Sequence, residues 1–122
     1  MDNELSGKVI ACAIEVHKNL GPGLLESTYQ KCLAREFDLH GLNYVMEQVL
    51  PVNYKGEYIE CGYRLDFVIE RSLVLELKSV KDLLLIHEVQ LMTYLKLSRI
   101  PIGLLINFNS RTIKEGIRRF VM

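Results

Sequence analysis

Near residue 40 the hydrophobic pattern of this 122-residue chain switches from helical spacing to alternation, and that switch limits the fold more than any other feature. Before it, Leu5, Val9, Cys12, Val16 and Leu20 fall at helical spacing, with Ile10, Ala13, Ile14 and His17 widening the stripe. Asp2 or Asn3 is placed to cap this helix. Leu20-Gly21-Pro22-Gly23 ends it, because glycine accepts the left-handed position after a helix and proline cannot continue one. A second helix is expected over about residues 24–39, burying Leu25, Tyr29, Cys32, Leu33 and Phe37, with Gly41 as its stop. The two helices should pack antiparallel about the Gly-Pro-Gly elbow.

After the switch, residues 44–52 read as a strand with Pro51 near its end. Asn53-Tyr54-Lys55-Gly56 reads as a turn and 57–61 as a returning strand. Residues 64–70 place Leu65, Phe67 and Ile69 on one face, and Arg64, Asp66, Val68 and Glu70 on the other. Residues 73–80 repeat the pattern, with Leu73, Leu75 and Leu77 opposing Val74, Glu76, Lys78 and Val80. A third helix over 82–98 precedes a continuous apolar strand, 102–108, buried on both faces. Residues 112–122 are short and ambiguous. The order α-α-β-β-β-β-α-β predicts one α+β domain over 1–122, with a mixed central sheet flanked by helices.

Composition narrows the class of function. With 49% apolar and 25% charged residues the chain can build a real core, which excludes disorder, collagen-like repeats and coiled coil. No apolar run approaches the ~20 residues of a membrane span. The acidic, then amphipathic N-terminus lacks the basic-then-apolar order of a signal peptide. Cys12, Cys32 and Cys61 are widely spaced with no C-x-x-C, so they read as reduced core thiols in a cytoplasmic protein. Together with the three histidines they also lack the spacing of a zinc site. Fifteen basic and fifteen acidic side chains cancel, yet unevenly: residues 1–61 carry five basic against nine acidic, residues 62–122 ten against six. The basic second half permits nucleic-acid binding without requiring it.

The polar residues inside apolar strands carry the chemistry. Glu76 and Lys78 stand two apart in the most apolar strand and therefore share a face. Taken alone they read as a surface ion pair. Asp66 lies on the polar face of the preceding strand, and the short Glu70-Arg71-Ser72 connection makes the two a hairpin. If Asp66 pairs opposite Glu76 or Lys78, two carboxylates and an ammonium meet in one patch. That requires an even sum of paired residue numbers, hence a three-residue loop or a bulge. Adjacent carboxylates repel, so such a pair wants a hard divalent cation, Mg²⁺ or Mn²⁺ rather than Zn²⁺. Glu26, just after the elbow, has a plain reading as an acid at a helix N-terminus and a site reading if that end faces the sheet. On the third helix His87, Gln90 and Tyr94 form a polar stripe.

Asp66, then Glu76-Leu77-Lys78, then Gln90-Leu91-Met92-Thr93-Tyr94 resembles the PD-(D/E)XK nuclease superfamily, whose D…E-x-K hairpin is followed in its RecB-like branch by Q-x-x-x-Y. Gly23-Leu24-Leu25-Glu26-Ser27-Thr28-Tyr29 is similar to the signature of the GxxExxY family, a small prokaryotic group assigned to that superfamily. The resemblance runs from about Leu5 to Val121, with Leu65 where the superfamily's name has proline. It implies a restriction-endonuclease-like core and a Mg²⁺- or Mn²⁺-dependent nuclease. Asp66, Glu76 and the Leu77 carbonyl would be metal ligands, and Lys78 the catalytic lysine. Glu26 would complete the site, Gln90 would assist it, and Tyr94, Tyr29 and His87 would support it. The implied partner is nucleic acid, DNA before RNA, with a homodimer as one way to enlarge the contact surface. The alternative is a binding or assembly module on a nuclease scaffold with little or no turnover.

Overall fold

A computed structural model of the chain describes residues 3–122; the capping side chain expected of Asp2 or Asn3 lies outside the described side chains. Helix α1 (Asn3–Leu20) and helix α2 (Glu26–Leu39) form the N-terminal unit. Strands β1 (Tyr44–Val49), β2 (Val52–Tyr54), β3 (Glu57–Ile59), β4 (Arg64–Ile69) and β5 (Leu73–Lys78) follow. Helix α3 (Leu85–Ser98) then leads to β6 (Ile102–Asn107), a single 3-10 turn at Lys114–Gly116 and β7 (Ile117–Val121). The main sheet has the order β1-β4-β5-β6-β7, with β5 and β6 parallel and the other neighbours antiparallel. This is the expected α+β architecture with a mixed sheet.

The helices cover both faces of that sheet. Val9, Ala13, Tyr29, Leu33 and Phe37 of α1 and α2 pack on Phe67, Leu75, Leu77, Leu104 and Ile106. On the other face Leu91, Tyr94 and Leu95 of α3 pack on Leu65, Val68, Val74 and Leu105. Alternating residues of β5 and β6 therefore enter opposite cores, which is why both strands are apolar nearly throughout. Close approach of α3 uses Gly103, where an added Cβ would lie 3.0 Å from Leu95 Cδ1. Among the described residues no helix is long and apolar enough to cross a membrane.

Four expectations are corrected. The strand expected over 44–52 is two strands, because Pro51 interrupts it and β2 turns away to pair with β3 in a separate sheet. The turn between them contracts to Lys55-Gly56, both at positive φ (49° and 88°), the geometry of a primed two-residue hairpin. The ambiguous tail supplies an edge strand, β7, so the element order is α-α-β-β-β-β-β-α-β-β. Finally, Leu65 does not share a core with Phe67 and Ile69 but lies in the α3-side core with Val68. The inside-outside alternation of β4 inverts at Asp66.

Candidate active site

The β4–β5 hairpin keeps the even register that a shared carboxylate face requires. Phe67↔Leu75, Val68↔Val74 and Ile69↔Leu73 are paired, closed by the three-residue loop Glu70-Arg71-Ser72. The loop holds Glu70 and Arg71 at positive φ (51° and 56°). It is fastened to the chain before β1 by the Glu70 N–H donating to the Asn43 carbonyl (2.9 Å) and by the Glu70 carboxylate accepting from the Asn43 N–H (3.1 Å). Continuing this register puts Asp66 opposite Glu76.

At that position side chains replace the ladder. The Leu77 N–H donates to Asp66 Oδ2 (2.8 Å), and the Asp66 N–H donates to Glu76 Oε1 (3.1 Å). Glu76 is only 7% exposed and sits between the apolar strands. Burial, and next the neighbouring Asp66 charge, push its carboxyl up to about 9. Burial likewise raises Asp66, against the opposing pull of the Leu77 N–H. Glu76 in this state keeps its proton at neutral pH unless a cation takes its place. Lys78, half-buried at the end of β5, lies within electrostatic reach of both.

The Gly-Pro-Gly elbow brings α2 to the same end of the sheet. Gly21 and Gly23 adopt φ of 71° and 95°, conformations that glycine enters without a side-chain clash. The Tyr29 hydroxyl donates to the Gly21 carbonyl (2.5 Å) and accepts from the Leu24 N–H (3.1 Å), while its ring stacks on Phe108 at 4.6 Å. Ser79 Oγ donates to the Leu24 carbonyl (2.7 Å), fastening the elbow to the segment after β5. Glu26 thus begins α2 beside the hairpin. Its carboxyl is raised first by desolvation, then by the Asp66 charge, and is lowered by Lys78. The spacing Gly23, Glu26, Tyr29 has a local rationale: the glycine turns the chain, the tyrosine fixes the turn, and the glutamate is presented by it.

The third helix divides its polar stripe. Tyr94 is buried, its ring 6.0 Å from that of Tyr63, and its hydroxyl is raised by burial and then by the Glu76 charge. His87 accepts the Leu84 N–H at Nδ1 (3.0 Å), which satisfies one free donor at the start of α3. Gln90 is exposed and makes no side-chain hydrogen bond among the described residues. Glu26 thus lies within electrostatic reach of Asp66 and Lys78, and Tyr94 of Glu76 and Asp66, whereas His87 also serves the helix end and Gln90 is an exposed residue of the same helix.

Three participants have no counterpart in the sequence reading. Glu47, at φ 53°, lies opposite Asp66 on β1 and raises both Asp66 and Glu26. Gln30 Nε2 donates to Glu47 Oε1 (3.1 Å) and to the Asp66 carbonyl (3.2 Å). Asn107, fully buried, accepts the Val80 N–H (3.1 Å) and donates to the Val80 carbonyl (2.8 Å), holding the chain where it leaves β5. Gln30 was findable, since it follows Glu26 by one helical turn; Glu47 was not, because its neighbour on β4 depends on a long-range register.

The donor chemistry at the hairpin is all oxygen and anionic, which fits a hard divalent cation. Among the described residues no three His, Cys, Asp or Glu side chains converge as a ready metal cage. Two carboxylates with a backbone carbonyl, water and substrate oxygens are the usual alternative for Mg²⁺, which seldom takes an all-protein cage.

This arrangement, acids interlocked across a hairpin of a helix-flanked mixed sheet, defines a nuclease-type core. The sequence profile of the PD-(D/E)XK nuclease superfamily matches residues 3–120, and the chain belongs to that superfamily. The fold is consistent with a restriction-endonuclease-like core. Among solved structures, the crystal structure of SSO0001 is similar at 17% identity, with 98% of this chain and 78% of that chain covered and a TM-score of 0.42. No curated protein matches the chain significantly.

Proposed function

We propose that the chain is a divalent-metal-dependent phosphodiesterase that cleaves nucleic acid, DNA before RNA, and that within its superfamily it is of the GxxExxY type. The observation that carries this reading is the crosswise locking of Asp66 and Glu76, two adjacent carboxyl groups shielded from water whose crowding a cation would relieve. Asp66, Glu76 and the Leu77 carbonyl would hold Mg²⁺ or Mn²⁺. When bound, such a cation supplies charge for the oxyanion that develops on a phosphodiester and lowers the pKa of water.

The remaining roles belong to the chain itself. Lys78 sits beside the carboxyl pair, where its ammonium orients the attacking water and stabilises charge on the phosphate. Glu26, raised by desolvation and by Asp66, is placed to accept or return a proton. Tyr94 walls the site on the α3 side. Free thiols at Cys12, Cys32 and Cys61 agree with action in a reducing compartment such as the cytoplasm.

The test compares wild type with Lys78→Ala on single-stranded, duplex and branched DNA and on RNA, with Mg²⁺, Mn²⁺ or EDTA. Metal-dependent cleavage should be abolished in Lys78→Ala while Mn²⁺ and nucleic-acid binding persist, because a group acting in the transition state contributes little to the ground state. Absence of cleavage by wild type on every substrate would replace this reading with the nuclease-fold binding module.

A further inference from the structure

Antiparallel strands normally satisfy each other's backbone at every residue. Strands β1 and β4 keep one register on either side of Glu47, with Met46↔Phe67 and Gln48↔Leu65 paired, yet Glu47 and Asp66 themselves are not paired. At this gap Glu47 adopts φ 53°, a conformation unusual for a residue with a side chain. The face alternation inverts across the gap: Met46 and its partner Phe67 border the α1–α2 core, but Leu65, the partner of Gln48, lies in the α3-side core. A gap in a ladder leaves a carbonyl needing a donor. One amide group supplies it, because the two hydrogens of Gln30 Nε2 reach Glu47 Oε1 at 3.1 Å and the Asp66 carbonyl at 3.2 Å.

We infer that Gln30, oriented by Glu47, is a positioning residue that holds the Asp66 backbone in the gap and so aims the Asp66 carboxylate at the metal. The geometry gives each partner one task. Glu47 accepts one amide hydrogen and fixes the rotation of the Gln30 amide. Gln30 then satisfies the Asp66 carbonyl without recreating the strand pair, which would restore the alternation and turn the Asp66 side chain away from Leu77. The Leu77 N–H is thereby free to bind Asp66 Oδ2, and among the described residues no backbone N–H is bound to the other oxygen, Oδ1. The inference rests on the nuclease reading, since it assigns Asp66 to a cation, and it adds two residues that the D…E-x-K pattern does not contain.

The test is calorimetric titration of Mn²⁺ into wild type, Gln30→Met, Glu47→Ala and Glu47→Gln, with thermal unfolding of each metal-free protein. Gln30→Met keeps the side-chain length and helix preference but has no donor. It should weaken Mn²⁺ about 10–100-fold, the usual effect of removing a group that orients a ligand. Glu47→Ala should weaken it similarly, and Glu47→Gln should retain most of the affinity because its amide oxygen accepts the same bond. Loss in Glu47→Gln equal to that in Glu47→Ala would show a through-space charge effect and overturn the positioning role. Wild-type affinity in Gln30→Met, whatever its melting temperature, would overturn it as well. Both results leave the nuclease reading standing; a wild type without measurable Mn²⁺ affinity overturns the two together.

Discussion

Asp66 and Glu76 are locked crosswise: the Asp66 N–H donates to Glu76 Oε1 at 3.1 Å, and Asp66 Oδ2 accepts the N–H of Leu77, the residue after Glu76, at 2.8 Å. Each carboxyl group thus commits one oxygen to the opposite strand. The arrangement is stable toward mechanical slippage but electrostatically unfavourable, since two acids share a site shielded from water.

That conflict makes the stability of the metal-free protein depend on pH. Unfolded, Glu76 ionises near its ordinary value of 4.5; folded, it keeps its proton up to about 9. Between those values the unfolded chain has released a proton that the native state still binds, so stability falls as pH rises. The contribution is fully present below about pH 4.5 and lost by about pH 9, with a limiting slope of ~1.4 kcal/mol per pH unit. Asp66, also raised, acts in the same direction. Urea denaturation at pH 6 and pH 8 should show a fall for wild type that Glu76→Gln largely removes. Parallel falls in the two proteins would mean that Glu76 is not the titrating group.

Removing the Tyr29 hydroxyl tests the elbow. Tyr29→Phe keeps the stack on Phe108 but leaves the Gly21 carbonyl and the Leu24 N–H without their shared partner. A loss of about 1–2 kcal/mol is expected in denaturant unfolding. Cleavage should fall as well, because Glu26 then starts from an unfixed turn. An unchanged midpoint would show that Ser79, which also grips Leu24, holds the elbow without help.

Asn107→Leu asks whether the segment leaving β5 depends on one buried amide. Its near-isosteric side chain fills the space but abandons the Val80 N–H and the Asn109 N–H, and leaves the Val80 carbonyl only its longer bond from Asn109 Nδ2 (3.3 Å). Each buried group left unpaired costs about 1–3 kcal/mol, so the variant should be among the least stable single substitutions here. Thermal unfolding decides this, and a shift of a degree or less would show that water replaces the amide.

The sequence made legible what depends on local period and short spacing. The helices around Gly21-Pro22-Gly23, the apolar strands β5 and β6 and the hairpin that joins Asp66 to Glu76 all follow from alternation and turn chemistry. What it concealed is long-range. Nothing near Leu65 announces that it will cross to the α3-side core, because that goes with the gap in pairing between Asp66 and Glu47, a residue nineteen positions before Asp66. Alternation alone therefore assigned Leu65 to the wrong face. The tail was obscure for a related reason: β7 is an edge strand, half-exposed, and its apolar residues serve only one neighbour.

Substitutions at Asp66 separate holding the hairpin from holding the metal. Asp66→Asn retains a side-chain oxygen for the Leu77 N–H and removes the charge that raises Glu76. The metal-free variant should therefore unfold at the wild-type midpoint or above it. Asp66→Ala loses the Leu77 bond and should be less stable by about 1–2 kcal/mol, the cost of a buried N–H without an acceptor. Toward a cation the two should behave alike, because each lacks one of two anionic ligands, and Mn²⁺ affinity should drop at least about tenfold in both. Stability and affinity are thus expected to part company in Asp66→Asn and fall together in Asp66→Ala. Wild-type Mn²⁺ affinity in Asp66→Asn, measured by calorimetry, would take Asp66 out of the ligand set and leave it a purely structural bridge between β4 and β5.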